Sequence, residues 1–235
     1  KPEYDAFGID LPGDHSDRYA MAQEWFDYVQ KLWTADTAFD WDGNFYQGKG
    51  VYSLPHPVQP KMPIINAAGS EEGRVFAMRN ADFLFTPVFD FDQAKATAAD
   101  ITERAASVGR KVDVLTLCTV VCRPTQQEAE DYLNWYAEEQ ADWEAVDNLM
   151  TLQGMHAQSF TPEALALYRD RMAAGHGGFP LVGTPDTIAD LLEKLSIAGI
   201  AGTTLAFVDY TEEFPYCRQE VLPRLEAKGL RQPVN

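Results

Sequence analysis

Apolar residues recur along this chain in two rhythms, at three- and four-residue spacing in some stretches and as short unbroken runs in others. From Asp17, the residues Tyr19, Ala22, Phe26, Val29 and Trp33 fall on one helical face, and Asp14, Ser16 and Asp17 supply capping oxygens. Phe39 to Tyr46 alternates apolar and polar residues about Asp42-Gly43, which predicts a hairpin. Leu54 to Pro63 is too rich in proline for a sheet interior and predicts an extended surface run carrying His56 as a loop residue. Buried strands are predicted near Ile64, over 82–87, over 112–121 and over 203–208. Helices are predicted over 75–80, 91–108, 126–140, 162–174 and 214–227, with a further one from the Thr184 cap and Pro185 to Gly199. Strands alternating with helices at this spacing predict an α/β chain with a parallel sheet.

Two stretches resist the pattern. Residues 142–160 mix Trp143, Met150, Met155 and His156 with polar residues, and read either as a cover over a ligand or as a surface helical insertion. Gly175-His176-Gly177-Gly178 reads as a hinge or as a place of close backbone approach.

The most informative stretch is Pro63 to Gly73. An apolar run breaks into Ala67, Ala68 and Gly69, then Ser70 and two carboxylates, before helical spacing resumes at Val75. Small side chains followed by a helix N-terminus suit an anionic group, so one reading is a phosphate cradle. The other is an ordinary strand-to-helix loop in which Ser70 is the N-cap.

Charge narrows the partners. Nineteen basic against 36 acidic residues give a net charge of −17 in 235 residues, which disfavours nonspecific binding to nucleic acid or anionic membranes. Cys118, Cys122 and Cys217 form no C-x-x-C pair and leave an odd count, which argues against a disulfide framework or a zinc site. Cys118 and Cys122 read as core residues. No apolar run approaches the roughly 20 residues of a membrane helix, and Lys1 to Tyr4 is no signal peptide. These features predict a soluble, cytoplasmic chain without a metal site.

Five separated segments carry a family resemblance: Lys1-Pro2-Glu3-Tyr4, Asp17-Arg18-Tyr19 running to Leu32-Trp33, Phe39 to Tyr46, Ala67-Ala68-Gly69-Ser70, and Leu181-Val182-Gly183-Thr184-Pro185. Together they resemble the bacterial luciferase-like flavin monooxygenases, with the pyrimidine monooxygenase group as the nearest branch. The resemblance implies a (β/α)₈ TIM-barrel-type fold with ligands at the C-terminal ends of the strands. Only about four barrel strands can be counted here. Lys1-Pro2-Glu3 matches the loop after the family's fourth strand, so the sequence is expected to correspond to the C-terminal part of one luciferase-like domain, 1–235. Residues 142–180 are its candidate insertion or lid.

Carried over residue by residue, the resemblance implies flavin mononucleotide contacts at Glu3, Arg18, Tyr19, Ala68, Gly69 and Ser70. Ser70 would receive the phosphate, Arg18 would add a charge-assisted hydrogen bond, Tyr19 a ring and hydroxyl, and Glu3 an acceptor for a ribityl hydroxyl. Gly69 departs from the polar residue usual there. His156 and His176 are the candidates for acid–base work, each with a plain structural reading beside it. The resemblance implies a two-component system, in which a separate reductase supplies reduced FMN by diffusion and oxygen is transferred to a small organic substrate, a pyrimidine or other heterocycle. It also implies a homo-oligomer. The alternatives are a deazaflavin (F420)-dependent oxidoreductase of the same fold and a non-catalytic α/β binding module.

Overall fold

The helix predicted from Asp17 forms as α2 (His15–Thr34), after a short α1 (Pro2–Phe7). These and the elements below come from a computed structural model, which describes residues 2–8, 13, 15–154 and 161–233, without the side chains of 2, 3, 15 and 16. The chain divides into two compact units, Lys1–Phe83 and Leu84–Asn235.

In the first unit α2 packs on α3 (Glu71–Asn80). Phe26 and Tyr19 lie 6.1 and 6.0 Å from the Phe76 ring, and Gln23 and Asn80 exchange amide hydrogen bonds at 3.0 and 2.6 Å. Phe26, Ala77, Met78 and Ala81 are the buried apolar residues of this layer.

The predicted hairpin forms from β1 (Phe39–Asp42) and β2 (Gln47–Val51), antiparallel, with Asp42 opposite Gln47. Its second arm starts at Gln47, three residues later than the pattern about Asp42-Gly43 suggested. Asn44, Phe45 and Tyr46 form the turn because their N–H groups donate to the Glu24 carboxylate of α2, at 2.9, 3.1 and 2.8 Å, instead of to a ladder. Partial burial works against this charge, but those three bonds and the Trp41 indole together hold the Glu24 carboxyl below its usual range.

The strand predicted near Ile64 is shorter and more open than expected. β3 is only Ile65–Asn66, and Ile65 is 59% exposed. The Ile64 carbonyl accepts from the N–H groups of Asp82 and Phe83, and the Ile64 N–H donates to the Asp82 carboxylate at 3.0 Å. Regular pairing then stops at Asn66, whose side chain turns the backbone by accepting from the Ala68 N–H at 2.9 Å. β4 (Phe83–Phe85) leads into the second unit.

There the chain runs through α4 (Phe91–Ser107), β5 (Asp113–Cys122), α5 (Gln126–Asn134), α6 (Trp143–Leu152), α7 (Pro162–Gly175), β6 (Phe179–Gly183), α8 (Pro185–Ile197), β7 (Ile200–Ala206), α9 (Glu213–Glu220) and α10 (Leu222–Ala227). The helix ends follow sequence rules: Asp90, Thr125, Asp142, Thr161 and Thr184 are N-caps, and Thr125 with Glu128 forms a capping box. The single helix predicted over 214–227 is instead two, α9 and α10. Pro223 has no N–H to give to the preceding turn, and the helix restarts at Leu222. Likewise α5 passes at Trp135 into a π-helix that ends at Glu139, rather than continuing as α-helix to Gln140.

β5 is the centre of this unit. Val114, Thr116, Cys118 and Val120 point into the helix-covered side and are fully or almost fully buried. β7 pairs with it in parallel from Val114 to Thr119, and β6 in parallel from Cys118 to Cys122. Because Cys118 and Thr119 pair with both, β6 and β7 occupy opposite edges. The Thr86 N–H donates to the Leu115 carbonyl, opposite β7, so the chain leaving β4 shares an edge with β6. β6 itself adds to the strands expected from the pattern. Its glycine- and proline-bearing sequence reads as a connector, yet the preceding glycines serve close approach: a Cβ at Gly175 or Gly178 would stand 2.5 or 2.6 Å from the Thr119 hydroxyl.

Where β6 replaces β4 along β5, the carbonyls beyond β4 find a side chain. Arg171 of α7 donates to the carbonyl of Val88 at 3.2 Å and to that of Phe89 at 2.8 Å. Its guanidinium lies 5.8 and 5.7 Å from the Phe89 and Phe179 rings. Residues 142–154, read either as part of a cover or as a helical insertion, hold a regular helix. α6 packs on α7 through Val146, Met150, Tyr168 and Met172, and Arg169 grips Asp147 at 2.6 and 2.9 Å. At the far end of β5, Arg123 donates to buried Glu213 at 2.5 Å, and Glu213 also accepts from the N–H groups of Val208 and Asp209.

Three expectations follow from these contacts. Replacing Arg171 by methionine strands two carbonyls and should cost about 1–3 kcal/mol in denaturant unfolding, with lysine restoring only part. Burial raises the thiols of Cys118 and Cys217 to about 11, and burial reinforced by nearby Cys217 raises Cys122 to about 12. Their contribution to stability is therefore complete below the ordinary thiol value of 9.0 and lost as pH rises through about 11. All three should resist alkylation at neutral pH until the chain is unfolded. Glu24→Gln should speed amide exchange at Asn44, Phe45 and Tyr46. In the unaltered chain the same loosening should appear on acidification, because a depressed carboxyl contributes above its ordinary value of 4.5 and ceases to as pH falls through the lowered one.

Candidate functional site

Asn66, Ala67, Ala68 and Gly69 carry the backbone from β3 to α3, and the Asn66–Ala68 hydrogen bond turns this link. Ser70 ends it as the N-cap of α3. Its backbone is extended, at φ −75° and ψ 161°, and its hydroxyl accepts from the Gly73 N–H at 3.1 Å. The Tyr19 hydroxyl comes to 3.3 Å from the same Ser70 oxygen across 51 positions of sequence. Ser70 is thus both the helix cap of the plainer reading and a member of a two-hydroxyl cluster.

Beside them Gly69 leaves open space: nothing lies within 4 Å of where its Cβ would stand. Arg18, half-buried in the first turn of α2, donates to the Gly13 carbonyl at 3.3 Å. Glu71 and Glu72 are exposed in the first turn of α3, where they complement the helix dipole and oppose a second anion. Arg18, next to Tyr19 in the sequence, is the candidate source of positive charge for an anionic group. A groove of about 630 Å³ is lined by Tyr19, Phe45 and Phe76, by the carboxylates Glu24, Asp27, Glu71 and Glu72, and by one cation, Arg79. Its carboxylates make it a poor place for a phosphate, whereas the Tyr19–Ser70–Gly69 side combines hydroxyls with open space.

Of the other residues expected in the site, Ala68 is half-buried and sets its methyl against Gly73. Glu3 lies in α1, with its side chain outside the described residues, as is the whole of His156. His176 is exposed and caps α7 in a left-handed conformation at φ 56°. Among the described residues no cluster of three or more histidine, cysteine or acidic side chains could hold a metal ion. Sequence reasoning passed over Asn66 and Gly73. Asn66 carried a signal, an asparagine two residues ahead of the amide it binds. Gly73 carried only its position, three residues after a serine cap.

Residues 1–202 match the model of the family described as luciferase-like monooxygenase. An FMNH2-dependent dimethylsulfone monooxygenase of Pseudomonas putida is 30% identical over 218 residues, 89% of this chain and 59% of that protein. The pyrimidine monooxygenase RutA of a Bradyrhizobium species is 28% identical over 241 residues, 98% of this chain and 65% of that protein. The crystal structure of DmoA from Hyphomicrobium sulfonivorans matches with a TM-score of 0.83 at 23% identity, over 99% of this chain and 60% of that one. This chain therefore spans about three-fifths of the length of such relatives, as expected of a partial barrel. With its parallel sheet, its alternating helices and a family match over most of its length, the chain belongs to the luciferase-like monooxygenase family.

Proposed function

We propose that this chain carries the phosphate end of a flavin mononucleotide site in a two-component monooxygenase. The observation that carries the reading is the meeting of the Tyr19 and Ser70 hydroxyls at 3.3 Å beside the open flank of Gly69. The residues present fit a phosphomonoester. Two hydroxyls can donate to it, the small side chains of Ala67, Ala68 and Gly69 admit it, and Arg18 precedes Tyr19 with a guanidinium that keeps its charge at any working pH. Glu3 is the proposed acceptor for a ribityl hydroxyl.

Bound reduced flavin supplies the reaction with oxygen, and the protein binds, orients and excludes water. The reduced cofactor arrives by diffusion from a separate reductase. The substrate is a small organic molecule, with dimethyl sulfone and a pyrimidine as the first to test, since relatives of those names match at 30% and 28% identity. Residues 142–180, which include α6 and α7, are the proposed insertion or lid; within their own unit Thr119 donates to the carbonyl of Gly175 at the close of α7. The working enzyme is a homo-oligomer in the cytoplasm, a reducing compartment in keeping with three free buried thiols.

The test is a titration of FMN into protein expressed from its complete reading frame. Ser70→Ala with Arg18→Ala should weaken binding by about 1.5–3 kcal/mol, the range for a hydrogen bond to a charged group. Unchanged affinity would refute the assignment. Oxygen uptake with reduced FMN and each trial substrate then reads the activity.

A further inference from the structure

Gly73 is the third residue of α3 and is buried. Glycine is a poor helix former, and the backbone here is not in the left-handed region that would require it. Space requires it instead. A Cβ at this position would stand 2.4 Å from the Tyr19 hydroxyl, 2.4 Å from the Ala68 methyl and 3.0 Å from the Ser70 oxygen. To clear it the Tyr19 ring would have to shift against Phe76, 6.0 Å away, while the Ala68 methyl is fixed to its backbone. The same residue donates its N–H to Ser70.

We infer that Gly73 is a positioning residue of the flavin-phosphate cradle: its missing side chain lets Tyr19 reach Ser70, and its N–H fixes the Ser70 hydroxyl from the other side. This rests on the flavin reading above. It also moves the steric requirement from Gly69, whose surroundings are open, to a glycine inside the helix. Gly73 touches no cofactor atom itself and acts through Tyr19 and Ser70.

The experiment compares FMN with riboflavin, which lacks the phosphate, by fluorescence quenching on protein expressed from its complete reading frame. Gly73→Ala should weaken FMN binding about 10- to 100-fold, the loss expected for hydrogen bonds to a charged group, while riboflavin binding changes little. Tyr19→Phe should show the same selective loss, and the double variant should lose no more than Gly73→Ala alone, because the alanine already displaces the hydroxyl. Equal weakening of FMN and riboflavin, unchanged FMN affinity, or losses that add would overturn the inference. Should Gly73→Ala fail to fold, Tyr19→Phe alone still decides it, since an undiminished FMN preference in that variant overturns the role given to Gly73. A parent protein that binds FMN and riboflavin equally would instead overturn the cofactor reading, which separates the two failures.

Discussion

A strand has two edges, and β5 has three strand neighbours. β7 fills one edge along most of its length, so β4 and β6 must divide the other. That division ends β4 early, sends the chain away at Thr86 and leaves the carbonyls of Val88 and Phe89 beyond the reach of any ladder. Buried backbone acceptors without partners are costly, and the guanidinium of Arg171 meets both at once. The docking of α7, the packing of α6 against it and the close approach of Gly175 to Thr119 all follow from how this one edge is shared.

The first unit solves a similar problem with smaller groups. The amides of its hairpin turn are gathered by a helix carboxylate, and one N-terminal amide of α3, that of Gly73, is met by a serine. In both places a side chain does what a ladder or a helical turn cannot. The same serine oxygen that caps the helix also lies 3.3 Å from a second hydroxyl, that of Tyr19, so the cap does not exclude the cradle proposed for it.

Much of this was legible in the sequence because the signals are local. Thr184-Pro185, Thr125 with Glu128, and the apolar stripe of α2 each declare an element within a few residues. What stayed hidden depends on distant partners. β6 reads as a connector because glycine and proline are weak strand formers, and only Cys118 to Cys122 of β5 make it a strand. Ile65 sits in a run that reads as buried, yet is exposed, since nothing local fixes what faces it. Ser70 and Tyr19 could be paired only through family likeness, as no periodicity links residues 51 positions apart. Gly73 was hidden in part for the same reason: of the two atoms that crowd it most, the Ala68 methyl is in the adjoining loop but the Tyr19 hydroxyl belongs to another helix.

The carboxylate of Glu24 gives the hairpin a dependence its own residues do not disclose. Gly43, at the start of the turn, has no room for a side chain, because a Cβ would stand 1.9 Å from a Glu24 oxygen. The hairpin is therefore not a portable module. In a chimera between relatives, the segment from Phe39 to Val51 would arrive with its turn amides unanswered unless position 24 travelled with it, so the unit of exchange is the hairpin together with its helix.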